Sequence, residues 1–236
     1  MLKNKNYHED AKIDRHQCEE ITRKLNALTD EYAKTWWGPI QYFGYPVYIM
    51  NSGSLEWDIK KIKRHNLFMK EHFPELLDWI KDFFEKKLEK PILFDDEIPF
   101  PGFHRFTCKP GPLITQNFHF DDYFQSLTEN AKHLIVPKDF SLYSFTVLLS
   151  DPSDLESGVD WVAPTDVLTR EKLFNLPFLK LKLISKKHIY NQGQLNLIGQ
   201  DVFHNLFSIN KTDQTKYRIT LQGHLLETSN GYVFYW

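Results

Sequence analysis

The chain has 236 residues, enough for one domain with a sizeable hydrophobic core and too few for two large ones. With 42% hydrophobic and 25% charged residues and a formal net charge of −2, it reads as a folded protein, without the acidic tail or basic arm that marks nucleic-acid or membrane-surface binders. The polar stretch Met1 to Arg15 lacks the apolar core of a secretory signal and no run approaches the ~18 apolar residues of a membrane span, so a reducing cytoplasm is the expected setting for Cys18 and Cys108.

From the N-terminus, Ile21, Leu25, Leu28 and Tyr32 recur at helical spacing and predict an amphipathic helix that packs on the core. The same period returns between His65 and Leu88 through Phe73, Leu76, Leu77, Ile80, Phe83, Phe84 and Leu88, with Pro74 placed to open its second part as a first-turn proline. After Pro91 the texture changes to short β-branched and aromatic runs broken by turn formers: Gly102 to Phe106, Ser144 to Leu149, Leu179 to Ile184, Gln194 to Ile198, Arg218 to Leu225 and Tyr232 to Trp236. Many short strands with the helices outside predict a sandwich or barrel. The expected organisation is a single domain over 1–236, mainly helical over 1–90, with the β core over 91–236.

The chemistry begins at His119 and Asp121. Two positions apart on a strand, their side chains point to one face and can grip one ion. Such a pair needs a third ligand, and His204 supplies one from a distant stretch, as strands adjacent in a barrel but remote in sequence allow. Two imidazoles and a carboxylate on one face of a cation suit Fe(II) and leave coordination positions open, unlike a closed structural zinc site. Further on, Arg218, Thr220, Gln222 and His224 alternate with Ile219, Leu221, Gly223 and Leu225, so one face of this strand is polar and, in a barrel, looks into a cavity. There Arg218 can fork onto a carboxylate while the Thr220 hydroxyl donates to the same group.

In this His-x-Asp, distal His and Arg-x-Thr pattern the sequence resembles the Fe(II)/2-oxoglutarate-dependent dioxygenase superfamily, from about Gly102 to the C-terminus. The resemblance implies a mainly β fold, a double-stranded β-helix (jelly-roll, cupin-like) core with N-terminal α-helices. It also implies His119, Asp121 and His204 as iron ligands and Arg218 with Thr220 as the 2-oxoglutarate site. Ser144 to Asp151 with Ser157-Gly158 looks like the family's middle strand and its turn. The implied activity uses O₂ to hydroxylate an unactivated C–H of a small molecule or peptide side chain, releasing succinate and CO₂. Desaturation, epoxidation or cyclisation by the same iron, a metal-binding jelly-roll with a regulatory role, and a cupin-like isomerase without use for Arg218 are the alternatives. Asp121 stands where related halogenases lack a carboxylate, which favours oxygen insertion, and His224 stands where nucleic-acid demethylases carry a second arginine, which argues against base repair; neither nucleic acid nor membrane is an expected partner.

Other residues carry plainer readings. Asp122 falls on the opposite face from Asp121 and reads as a turn or surface carboxylate. His104, His133 and His188 read as surface or hydrogen-bonded histidines, whereas His224 shares the face of Arg218 and can take a cavity role. Thr115, Asn117 and Gln222 line a pocket or satisfy backbone groups. Trp161 and Phe106 read as core, and Cys108 as a small buried hydrophobe.

Overall fold

In this computed structural model the described residues are 8–28, 33–37, 40–47, 57–114, 118–122, 124–150 and 153–236. Among the described residues three helices come early: α1 (Arg15–Ala27), α2 (Ile59–His72) and α3 (Pro74–Leu88). Each start has a local cause. The Asp14 carboxylate accepts from the Gln17 amide at 2.8 Å while the Gln17 side chain accepts from the Asp14 amide, and Asp58 accepts from the Lys60 and Lys61 amides. Pro74 occupies the first turn of α3, where its missing N–H costs nothing, and splits the anticipated long helix at Phe73. The expected apolar positions Leu25, Phe73, Leu76, Leu77, Ile80 and Phe84 are buried; Tyr32 lies outside the described residues.

The strands are β1 (His8–Lys12), β2 (Ala33–Trp37), β3 (Ile40–Phe43), β4 (Ile92–Leu93), β5 (Gly102–Cys108), β6 (Gly111–Ile114), β7 (Leu142–Leu148), β8 (Leu155–Val162), β9 (Lys186–Ile189), β10 (Gln194–Gly199), β11 (Phe203–Asn210), β12 (Lys216–Thr228) and β13 (Gly231–Tyr235). One sheet runs β1-β10-β7-β12-β5-β3-β2, with β13 on β12 and β4 on β13; the other runs β6-β11-β8-β9. All pairings are antiparallel except β13 with β4.

The large sheet has two different faces because β12 alternates. Ile219, Leu221 and Leu225 join Phe103, Phe145 and the helical residues Leu25, Met69, Leu76 and Phe84 in one cluster, so this face is covered by α1–α3. At roughly 1.5–3 kcal/mol for each large side chain removed from water, this layer is the main source of hydrophobic stabilisation. The opposite face meets the small sheet across a second apolar layer of Leu148, Val159, Tyr190, Ile198 and Val202. Two antiparallel sheets facing each other, with helices outside, are the expected jelly-roll.

The N-terminal ninety residues hold α1–α3, and their strands β1, β2 and β3 belong to the large sheet. Two expectations need correction. Leu179 to Ile184 is not a strand but part of helix α6 (Phe178–Ile184), following α4 (Phe124–Asn130) and α5 (Arg170–Phe174). Its Leu-Lys alternation imitates a two-residue period, yet only Leu181 is fully buried. Ser157 and Gly158 do not form a turn; they lie inside β8, paired with Ser208 and Phe207. Gly158 is needed there because a Cβ would overlap the His188 carbonyl on the neighbouring strand.

Candidate active site

Backbone pairing brings the site together. His119 and His204 form an isolated antiparallel bridge, each amide donating to the other's carbonyl at 2.9 Å. Their rings therefore stand side by side, centroids 4.4 Å apart, on neighbouring extended segments. Asp121 closes the triangle, its carboxylate oxygens 3.7 Å from His119 Nε2 and 3.7 Å from His204 Nε2. One donor atom from each of the three lies within 4.8 Å of the others, and no other such group of histidine, cysteine and acidic residues occurs among the described residues. His204 Nδ1 lies 3.1 Å from the Val202 carbonyl, which fixes that nitrogen as the N–H donor and leaves Nε2 as the free lone pair.

The carboxylate of Asp121 is tuned by its surroundings. Burial pushes its pKa up, but the imidazoles of His204, His224 and His119, with a hydrogen bond from Ser144, outweigh that and hold it at about 2. Since the Ser144 hydroxyl donates to Asp121, His224 Nδ1, 2.8 Å from Ser144 Oγ, is the donor in the next bond. Asp121 is thus held by a chain that ends on His224, itself stacked on the Tyr235 ring at 4.8 Å. Asp122 points elsewhere. Both its oxygens accept from Arg170 Nη2, at 2.6 and 2.7 Å, as its reading as a surface carboxylate anticipates.

A cavity of about 70 Å³ opens on the triad, lined among others by His104, Tyr190, Thr146, Gln222 and His224. The polar face of β12 does look into this space, and His224 takes the cavity role. Of the two anticipated readings of His104 the hydrogen-bonded one holds: it is buried, its Nδ1 is 2.5 Å from Gln222 Oε1, and burial pushes its pKa down to about 3, so the ring is neutral. Phe106 is both core and cavity wall. Trp161 packs beside the inter-sheet layer, and Cys108 is a buried free thiol. His133 pairs with Asp95 at 2.7 Å near the surface, and His188 packs against Tyr190. Thr115 and Asn117 lie outside the described residues.

Further along the same face of β12, Arg218 is 0% exposed, with its guanidinium 4.9 Å from the Phe106 ring and 5.5 Å from the Tyr190 ring. None of its three side-chain nitrogens has a hydrogen-bond partner among the described residues, and the same holds for Thr220 Oγ1 beside it. Burial depresses the Arg218 pKa, and Tyr190 and Cys108 pull it the other way. A buried guanidinium costs several kcal/mol unless an anion meets it, and this one has its hydrogen-bonding capacity free to receive a small anion. Tyr190 also faces it, its pKa pushed by burial to about 12. Nothing in the sequence marked Tyr190 or Ser144, because their places depend on the register of β7, β8 and β9.

No protein-family model matches the sequence, and no curated protein is significantly similar to it. Solved structures do share its architecture. The non-heme alpha ketoglutarate dependent carbocyclase SnoK from nogalamycin biosynthesis aligns over 98% of this chain and 84% of its own at 11% identity and a TM-score of 0.50. The epimerase SnoN from the same biosynthesis aligns over 96% and 82%, with 11% identity and a TM-score of 0.48. An N-substituted L-amino acid dioxygenase from Burkholderia ambifaria aligns over 98% and 86%, with 15% identity and a TM-score of 0.46. The likeness is one of fold, and it places the chain among jelly-roll proteins with flanking helices.

Proposed function

We propose that this protein is an Fe(II)- and 2-oxoglutarate-dependent oxygenase acting on a small molecule or a peptide side chain. The observation that carries the reading is the meeting of two sets of groups in one interior: a His-Asp-His triangle with its donor atoms converging, and a buried guanidinium with no hydrogen-bond partner among the described residues. The donor set suits a divalent iron, since two imidazoles and one carboxylate occupy one face and leave the other open. SnoK, with the same architecture, depends on alpha ketoglutarate.

In this reading His119, Asp121 and His204 hold the metal, and Arg218 with Thr220 receives the distal carboxylate of 2-oxoglutarate through charge-assisted hydrogen bonds. The bound iron supplies O₂ activation coupled to oxidative decarboxylation, with succinate and CO₂ as products. The chain itself orients and excludes water. Ser144 and His224 hold the Asp121 carboxylate in place, while His104, kept neutral, and Gln222 present hydrogen-bonding groups toward the space beside the triad. Hydroxylation of an unactivated C–H is the default outcome; SnoK, a carbocyclase, shows that one architecture also serves ring closure. A reducing cytoplasm fits two buried free thiols and a ferrous ion.

The test is reconstitution with Fe(II), ascorbate and 2-oxoglutarate under air, reading succinate. Succinate formation that disappears in His119→Ala supports the proposal. Tight iron binding without 2-oxoglutarate turnover across a panel of amino acids and natural-product intermediates would instead make the protein a metal-binding jelly-roll of regulatory type.

A further inference from the structure

The segment from Val167 to Ile189 has more apolar surface than its packing uses. Of the nine large hydrophobic side chains exposed among the described residues, six fall here: Val167, Phe174, Leu179, Leu183, Ile184 and Ile189. The inner side of the segment is already satisfied, because Leu173, Leu181 and Phe178 pack with Phe118, Phe120, Val162 and Phe203. An ordinary surface helix turns charge outward once its apolar stripe is buried. Here Leu179 and Leu183, one turn apart on α6, stand 76% and 85% exposed.

The charge of the segment is equally uneven. Between Thr165 and Tyr190 the sequence holds Arg170, Lys172, Lys180, Lys182, Lys186 and Lys187 against Asp166 and Glu171, a local balance of 6 − 2 = +4 in a chain of net −2. Three of these cations are paired: Arg170 with Asp122, Lys182 with Asp160, and Lys187 with Glu156. Lys172, Lys180 and Lys186 remain exposed along the same stretch as the exposed leucines. Lysines that ring projecting aliphatic side chains match the boundary of an anionic bilayer, where the apolar groups enter the acyl region and the ammonium groups meet headgroup phosphates. Two short helices and an edge strand that project separate apolar side chains need no shape-matched partner.

We propose that this face, formed by α5, α6 and β9, docks the protein peripherally on an anionic lipid surface. The near-neutral overall composition conceals the patch, which explains why a membrane partner is not expected from composition. No helix among the described residues is long and apolar enough to cross a membrane, so the attachment is interfacial. Docking would set the candidate centre close to the bilayer, because Phe174 packs on Phe120 at 5.3 Å and Phe178 on Phe118 at 5.9 Å, beside His119 and Asp121.

The experiment is co-sedimentation of the full chain with phosphatidylcholine vesicles, with and without phosphatidylserine, and light scattering of the protein alone. The expected result is binding to the anionic vesicles that weakens in high salt. Leu179→Ser/Leu183→Ser should lower the partition coefficient about tenfold or more, and Lys180→Glu/Lys186→Glu by at least about tenfold. Both pairs are surface changes, and an unchanged thermal melt shows that the fold is kept. Absence of binding, or binding that both double variants retain, overturns the proposal. So does a dimer that Leu179→Ser/Leu183→Ser dissolves, since a second copy would then be the occupant.

Discussion

Replacing Arg218 by methionine separates a ligand-binding guanidinium from a structural one, because the two roles predict opposite signs in the unliganded protein. The side chain is fully buried, and its nitrogens have no partners among the described residues. Swapping a buried, uncompensated charge for an apolar chain of similar volume is neutral or stabilising by about 1–4 kcal/mol, whereas breaking a buried pair costs about 3–5 kcal/mol. The apo Tm of Arg218→Met should therefore hold or rise. Affinity for 2-oxoglutarate should collapse: two charge-assisted hydrogen bonds at about 1.5–3 kcal/mol each correspond to a loss on the order of 10² to 10⁴. The assay is thermal denaturation with Mn(II) as a redox-inert metal and increasing 2-oxoglutarate. In the wild type, ligand at about 100 times its Kd adds about 2.7 kcal/mol, a rise of about 5–10 °C for a chain of this size. The reasoning is refuted if Arg218→Met melts well below the wild type and still shows the full ligand-induced rise.

Neighbouring carboxylates should behave differently. Asp121→Asn should weaken metal binding by at least about tenfold in calorimetric titration, while Asp122→Asn, which removes only a half-exposed pair with Arg170, leaves it nearly unchanged and costs at most about 1 kcal/mol of stability. His65 is buried between Phe100, whose carbonyl it meets at 2.8 Å, and Trp236, and burial lowers its pKa to about 4. Its folded pKa lies below the unfolded value of about 6.5, so its contribution is intact above pH 6.5 and is lost as pH falls toward 4. That loss is on the order of 3 kcal/mol, and urea melts of His65→Gln should show a flatter dependence over this range. Gly102→Ala would drive a methyl into the Trp236 ring and should cost about 1–3 kcal/mol, visible as a lower Tm.

The sequence made the His119–Asp121 pair and the β12 face legible for the same reason: both depend on two-residue spacing, which survives whatever the segments later pair with, whereas His204 arrives only through its pairing with His119. His119 with Asp121, and Arg218 through His224, need no knowledge of neighbours. The parts that were not legible depend on register. His104 enters the cavity because β5 sets it opposite Thr220 and beside Gln222, and Ser144 reaches Asp121 because β7 sets it opposite His224. Neither pairing is written in a local pattern. The strands β1, β2 and β3 are four or five residues long and show no alternation, so only the sheet they join defines them. At α6, tertiary packing of Leu181 and Phe178 overrides a Leu-Lys alternation that reads as a strand.

The reciprocal amide-to-carbonyl pairing of His119 and His204 gives the spacing of the two imidazoles to the main chain. A rung of that kind closes when the strands zip, before any cation arrives. Truncating one ring leaves the other where it was, and an incoming ion spends little entropy gathering its donors. Slow hydrogen–deuterium exchange at both amides in the metal-free protein would be the signature of such a clasp set in advance.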